Sequence, residues 1–361
     1  MNEVLSNKIV PSLNKILKKK KYKNILIITG KNSYKNSKAY KYFKKISSVY
    51  PTVLYHKSMI NSCYAEVSSV LEKFLELNFD IIIAYGGGSV IDFSKLVSLY
   101  KNNAELFKTD FQNTNKIIET VPLVAIPTTA GSGAESTQFA VMYKENIKFS
   151  ILNKNIIPQY VILDPETTFT LSKYQTACSG IDALCQSLES CWAKNKNVES
   201  EEYALKSLEL INENIIESYN GNKESRSLML EAANLSGKAI NISKTTAPHA
   251  MSYYLTSFHD IPHGEAVGIN IEPFININFE SIEEKIKRKI LHIFNVKTKV
   301  ELINSIRLLK SSLGLKLKLS EVEGLDVEEY CSHINIERLK NNPVELKIKD
   351  VRKLIIKSIS K

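Results

Sequence analysis

Asp80-Ile81-Ile82-Ile83-Ala84-Tyr85 runs without a break into Gly86-Gly87-Gly88-Ser89, and this junction limits the fold more than any other stretch of the chain. A short, continuous apolar run suits a strand buried on both faces of a parallel sheet. Glycine lets the backbone turn tightly and approach a pyrophosphate closely. The helix that follows, Ser89 to Tyr100, offers amide N–H groups at its start. The motif is neither GxGxxG nor a Walker sequence, so alone it specifies a phosphate cradle or a tight strand–helix turn.

The same alternation recurs. Asn24 to Ile28 is an apolar run ending at Thr29-Gly30, and Val53-Leu54-Tyr55, Leu123 to Ile126 and Tyr160 to Leu163 read as further strands. Residues 35–47 read as a Lys-rich amphipathic helix. Val67, Val70, Leu71, Phe74 and Leu75 give helical spacing over 65–78. Strand–helix alternation of this kind predicts an α/β, doubly wound parallel sheet. After Asp164-Pro165 nearly all periodicity is helical, as in Tyr203 to Ile216, Leu228 to Ile242, Ile282 to Phe294 and Val300 to Leu313. A boundary near residue 166 is therefore expected, with a dinucleotide-binding α/β domain over 1–166 and an all-α domain over 167–361.

Composition excludes several function classes. No apolar run reaches the ~18 to 20 residues that span a bilayer. The N-terminus, MNEVLSNKIV, lacks a cationic segment followed by an apolar core, so no signal peptide is expected and a cytoplasmic location follows. The net charge of +10 comes almost entirely from Lys, with five Arg (Arg226, Arg288, Arg307, Arg338 and Arg352). The only dense runs, Lys18 to Lys21 and Lys285 to Lys289, read as solvated helix faces, so no nucleic-acid partner is expected. Five cysteines with no CxxC pair read as free thiols.

Two further constellations carry chemistry. Pro127-Thr128-Thr129-Ala130-Gly131-Ser132-Gly133 places hydroxyls and small residues after a buried strand, where open α/β sheets bind ligands. Of the six histidines, His249, His259 and His263 fall within fifteen residues. Pro262 suits the start of a helix, so His249 lies on one helix and His263 begins the next. Upstream, Gly180 to Glu189 reads as a helix on which Asp182 and Gln186 share a face. An Asp among apolar residues is costly unless paired or metal-bound. Asp182, His249 and His263 would form a three-ligand site with an open position, suited to Lewis-acid catalysis.

GGGSVIDFSK, PTTAGSGAE, GIDALCQSLE and PHAMSYYLTSFHDIPHG, in this order, resemble the motifs of iron-containing (group III) alcohol dehydrogenases, over residues 25 to 270. The resemblance implies the dehydroquinate synthase-like fold: a dinucleotide domain, an all-helical domain and a catalytic cleft between them. It also implies that Gly86, Gly87, Gly88 and Ser89 hold the pyrophosphate, with Thr128, Thr129 and Ser132 flanking the cofactor. Asp92 would lie beside its phosphates or nicotinamide, and Lys148 near a ribose. The family's metal positions fall on Asp182, Gln186, His249 and His263, for Fe²⁺ or Zn²⁺. Two residues depart from the usual pattern, Gln186 and Tyr253, where the family places His. A Gln oxygen is a weaker ligand than imidazole. Tyr253 or His259 is expected to relay the proton.

At the first strand the chain reads Thr29-Gly30-Lys31-Asn32-Ser33, with no acidic residue to bind a ribose 2′-hydroxyl. Gly30, Lys31 and Ser33 would therefore accept NADPH as well as NADH. Within the family the chain looks most similar to the phosphonoacetaldehyde reductase branch. That similarity implies reduction of phosphonoacetaldehyde to 2-hydroxyethylphosphonate. An anionic substrate needs fixed cations, and Lys244 and Lys238 precede His249 on the segment leading to it, with Asn241 and Thr245 as hydrogen-bond donors. The alternatives are a broad-range primary alcohol dehydrogenase and a dehydroquinate-synthase-like lyase. A homodimer is expected.

Overall fold

The computed structural model describes residues 3–5, 8–35, 37–59, 61–74, 76–145 and 147–360. They form two compact units. The first comprises Met1–Thr129 with Gly133–Thr170, and the second Leu171–Lys361 with Ala130–Ser132.

The first unit is built on the strands Glu3–Leu5 (β1), Ile25–Gly30 (β2), Thr52–Lys57 (β3), Ile81–Gly86 (β4) and Leu123–Pro127 (β5). Phe139–Lys144 (β6) and Ile147–Leu152 (β7) form a separate antiparallel hairpin, and Tyr160–Ile162 (β8) completes the main sheet. That sheet has the order β1-β8-β5-β4-β2-β3, with all pairs parallel. Its strands alternate between two cores, as a sheet covered on both faces demands. Leu26, Ile28, Ile82 and Ala84 pack with Val67, Phe93 and Leu96 of the helices Tyr64–Lys73 and Gly88–Tyr100. Ile25, Ile27, Ile81 and Ile83 pack with Leu13 and Phe43 of Ile9–Lys20 and Ala39–Ser47.

Strand order reverses at β2 and β4. The chain leaves β2 for its outer neighbour β3, then returns to the other side of β2 as β4. Thr29 is in register with Tyr85, so Gly30 and Gly86 end adjacent strands at this switch point, where doubly wound sheets place ligands.

The structure departs from the sequence-based elements in three places. Residues 35–47 are not one helix: Lys31–Lys35 and Ala39–Ser47 are separated at Ser37. The Ser37 hydroxyl donates to the Tyr34 carbonyl at 3.3 Å and accepts from Ala39 N–H at 3.1 Å, which replaces helical bonds with a local turn. The helix expected over 65–78 spans Tyr64–Lys73, and Leu75 lies outside the described residues. Strand β1 and the β6–β7 hairpin had not been expected.

The second unit is helical. Lys173–Trp192, Val198–Tyr219 and Lys223–Ser243 surround a core that includes Leu184, Leu208, Ile211 and Met229. They are followed by Ala247–Phe258, His263–Asn278 and shorter helices to Ile359. Sixteen of the twenty residues of the 173–192 helix are buried. A helix enclosed on all sides must have each of its polar residues matched from neighbouring elements, and Asp182, Gln186 and Glu189 are three of these. The five cysteines are free. Among the described residues no helix is long and apolar enough to cross a membrane.

Candidate functional site

In the first unit the glycines explain how backbone reaches the sheet edge. A Cβ on Gly86 would lie 2.6 Å from Val90 Cβ, and one on Gly30 would lie 3.3 Å from Val90 Cγ2 and 2.9 Å from Ser33 Oγ. Both strand ends therefore close onto the first turn of the 88–100 helix only because they lack side chains. Gly87 caps that helix, and its carbonyl accepts from Val90 N–H at 2.9 Å. The first turn carries no acidic side chain, which suits an anion at the positive end of the helix. Thr128 N–H donates to the Gly86 carbonyl at 3.0 Å, which sets β5's exit beside the glycine turn. Thr129 Cγ2 and Oγ1 lie 3.3 and 3.4 Å from where a Gly87 Cβ would sit. Gly30, Gly86 to Ser89, Thr128 and Thr129 thus occupy neighbouring strand ends.

Other residues expected near a dinucleotide hold structure as well. Ser33 Oγ donates to the Gly30 carbonyl at 3.0 Å. Asp92 accepts from Val141 N–H at 3.0 Å and lies 3.9 Å from Lys95 Nζ. Lys95 is fully buried and donates to the carbonyls of Thr137 and Phe139, so this pair ties the β6–β7 hairpin to the 88–100 helix. Lys31 is exposed at the start of its short helix, and Lys148 lies on β7 opposite Tyr143.

In the second unit Asp182, His249 and His263 converge. One ligand atom from each falls within 4.8 Å of the others. Asp182 comes from the middle of the 173–192 helix, His249 from the first turn of Ala247–Phe258, and His263 opens His263–Asn278. The last of these is pressed against the first by Gly264. A Cβ there would stand 1.9 Å from the Cys178 carbonyl oxygen and 2.9 Å from Asp182 Cβ. One helical turn on, a Gly268 Cβ would meet Ile181 Cγ2 at 2.7 Å.

His249 is buried, and its two nitrogens have different surroundings. Nδ1 bonds to the Glu189 carboxylate. Nε2 makes no hydrogen bond and faces Asp182 Oδ1 at 3.4 Å. Burial works against a charge on this ring, but Glu189 and Asp182 outweigh it and raise its pKa to about 9 in the metal-free chain. A buried imidazole nitrogen with no hydrogen-bond partner, beside a carboxylate and a second imidazole, is the donor set of a three-ligand divalent-metal site. The residues present therefore fit such an ion.

Gln186 lies one turn from Asp182, and its amide is engaged at both ends. Oε1 accepts from Ser236 Oγ at 2.9 Å, and Nε2 donates to the Ser132 carbonyl at 3.4 Å. Ser132 belongs to the three-residue segment that packs with the helices, where a Gly131 Cβ would meet the Ser179 carbonyl oxygen at 2.8 Å. Tyr253 is one turn beyond His249 on the same helix, and half-buried. His259 caps that helix, and its Nε2 is buried without a hydrogen-bond partner. Lys244 pairs with Glu337 at 3.2 Å, and Lys238 Nζ stands 5.7 Å from the Tyr203 ring. Asn241 lies in the last turn of Lys223–Ser243.

Sequence reasoning passed over Glu189 and Gly264. Glu189 follows Asp182 by seven residues, two helical turns, so it shares Asp182's face. That was the available signal.

Comparison with known proteins agrees with this division. The model of the iron-containing alcohol dehydrogenases matches residues 4–165, and that of the C-terminal part of the Fe-containing alcohol dehydrogenase family matches residues 176–359. Alcohol dehydrogenase 4 of Saccharomyces cerevisiae is 30% identical over 285 residues, which cover 77% of this chain and 74% of the yeast protein. The NADPH-dependent butanol dehydrogenase of Clostridium saccharobutylicum is 31% identical over 275 residues, covering 74% and 69% of the two chains. The crystal structure of sulfoacetaldehyde reductase from Bifidobacterium kashiwanohense in complex with NAD⁺ matches with a TM-score of 0.90 at 25% identity, over 100% of this chain and 97% of that one. With both units matched and the three-ligand cluster in place, the chain belongs to the iron-containing alcohol dehydrogenase family, oxidoreductases that use a nicotinamide dinucleotide and a divalent metal.

Proposed function

We propose that the protein reduces an aldehyde bearing a neighbouring anionic group, phosphonoacetaldehyde above all, to its primary alcohol with NADPH or NADH. The aldehyde gains a hydride at its carbonyl carbon and a proton at its oxygen, and the dinucleotide is oxidised. The observation that carries the reading is the convergence of buried Asp182 and His249 with half-buried His263, where Nε2 of His249 makes no hydrogen bond.

Asp182, His249 and His263 would hold Fe²⁺ or Zn²⁺. The Gln186 Oε1, which keeps a second lone pair beyond its bond from Ser236, would be a weaker fourth donor. A divalent metal, when bound, supplies Lewis acidity toward a carbonyl oxygen. Gly86 to Ser89 and the start of the 88–100 helix would hold the pyrophosphate, with Thr128, Thr129 and Ser132 beside the cofactor. Asp92, fixed by Lys95 and Val141 N–H, would face it as an oriented acceptor, and Lys148 would serve a ribose. Lys31 and Ser33 would take a 2′-phosphate; the NADPH dependence of the clostridial relative supports this choice. Tyr253, one turn from His249, or His259 would deliver the proton. The protein's part is orientation and electrostatics, while the cofactor carries the redox chemistry.

The anionic substrate is supported by the likeness to a reductase of sulfoacetaldehyde, an aldehyde with an oxyanion on the adjacent carbon. Lys244, Lys238 and Asn241 would bind the anion, and Lys244 would exchange Glu337 for it. That existing pair favours a second reading, a broad-range alcohol dehydrogenase acting on neutral substrates. Steady-state kinetics of Lys244→Ala separate the two. A rise in KM for phosphonoacetaldehyde far above that for butanal supports the first, and equal effects support the second.

A further inference from the structure

Glu189 is completely buried, and among the described residues the only cationic group paired with it is the His249 ring. Its Oε1 meets His249 Nδ1. Its Oε2 accepts from Thr246 N–H at 2.5 Å and from Thr246 Oγ1 at 2.8 Å. The Thr246 hydroxyl in turn accepts from Trp192 Nε1 at 3.0 Å. A buried carboxylate without a Lys or Arg partner is costly unless its lone pairs are filled, and here both oxygens are filled by residues at the start of the His249 helix.

The loop leading into that helix is held out of its relaxed shape. Lys244 has φ 57° and ψ 170°, a region that essentially only glycine adopts. Asn341 Nδ2 donates to the carbonyls of Ser243 at 2.8 Å and Thr245 at 3.0 Å, and Ser190 Oγ bonds to Ser243 Oγ at 2.8 Å. Glu189 and Ser190, adjacent on the 173–192 helix, thus grip both ends of this loop.

A neutral imidazole bonded to a carboxylate through Nδ1 keeps its proton there and presents the lone pair of Nε2. With Nδ1 held by Glu189, Nε2 turns toward Asp182, and the ring centroid lies 5.4 Å from that of His263. We propose that Glu189 is a positioning residue of the metal centre, fixing the tautomer and orientation of His249 and, through Thr246, the start of its helix. The inference rests on the metal-site reading above.

Zinc titration against a chromogenic chelator tests it on the intact chain, for the native protein and for Glu189→Gln, Glu189→Ala and Thr246→Val. Native binding with a loss of about 10 to 100-fold in affinity for Glu189→Ala is expected. Glu189→Gln, which keeps an acceptor for Nδ1–H but turns an NH₂ group toward Thr246 N–H, should lose less. Thr246→Val should lose least. Long-range ¹H–¹⁵N spectra of the zinc-loaded native protein should show His249 protonated at Nδ1. A merely structural role would lower the unfolding midpoint and leave zinc affinity of the folded variant unchanged. Folded Glu189→Gln and Glu189→Ala that bind zinc within twofold of the native chain would overturn the positioning role while leaving the metal site standing. If Glu189→Ala does not fold, Glu189→Gln and Thr246→Val decide. A folded native chain that takes up no zinc would overturn both.

Discussion

Replacing Gly264 with Ala puts the metal site and its scaffold to the same test. The added Cβ would lie 1.9 Å from the Cys178 carbonyl oxygen, whereas real Cβ atoms stay roughly 3 Å from such atoms. The obstacle is backbone in the middle of a buried helix, so no side-chain rotation relieves it. The 173–192 and 263–278 helices must part by about 1 Å. Overpacking of this kind costs about 1–3 kcal/mol, and a rigid carbonyl puts Gly264→Ala at the upper end. The same shift moves His263, the preceding residue, away from Asp182. Metal–ligand distances tolerate only about 0.2 Å, so zinc affinity should fall by at least the ~10 to 100-fold typical of losing a supporting residue. Gly268→Ala is the internal comparison, because its Cβ meets a side-chain methyl, Ile181 Cγ2 at 2.7 Å, and no backbone, so it should cost less than Gly264→Ala, within about 1–3 kcal/mol, with little effect on zinc. Urea unfolding and zinc titration of both variants provide the readout. Equal stabilities with unchanged zinc binding would refute the claim that Gly264 sets the approach of the two helices.

Three further outcomes are expected. Gln186→Ala should lower zinc affinity less than Asp182→Ala does, because the Gln186 amide oxygen is neutral and already accepts from Ser236; the reverse order in the same titration would contradict the ligand ranking. Lys244→Gly should be more stable than Lys244→Ala by roughly 1–3 kcal/mol, since both lose the Glu337 pair and only glycine relieves the backbone; equal unfolding midpoints would count against strain there. Burial lowers the Lys95 ammonium to about 8, against the opposing pull of Asp92 and Glu135. Its folded pKa is thus below the ordinary value near 10.5, the native state loses the proton first, and this group's contribution to stability rises with pH across that window. The unfolding free energy of the native chain minus that of Lys95→Met should increase from pH 8 to 10.5, and a flat difference would contradict the assignment.

Much of the frame was legible because it is written locally. The runs at 24–28, 80–85 and 123–126 have no room for any reading but buried strands beside turns, and their alternate residues do fall into two cores. Asp182, His249 and His263 were legible for a different reason. Asp182 lies among apolar residues on a core helix, where a carboxylate needs a partner, and the two histidines stand out because they fall close together in a chain with only six. What stayed hidden depends on contacts distant along the chain or on a local competition between hydrogen bonds. Strand β1 is three residues long and exists by pairing with β8, some 155 residues later. Ser37 breaks a helix through a choice between two sets of hydrogen bonds that periodicity does not weigh. Glu189 reads as one more acid near a helix end until the fold brings His249, sixty residues on, against it. Lys244 read as a cation for the substrate; neither its glycine-like backbone nor its pair with Glu337 has a local signature.

Metal-dependent reduction of an anionic aldehyde is the activity proposed for this protein. NADPH oxidation at saturating phosphonoacetaldehyde tests it most directly, measured on chelator-stripped protein before and after zinc or iron is restored. Turnover should be lost on stripping, return with the metal in a ratio of one ion per chain, and yield one alcohol per NADPH consumed. Undiminished turnover by protein shown to contain no metal would contradict it.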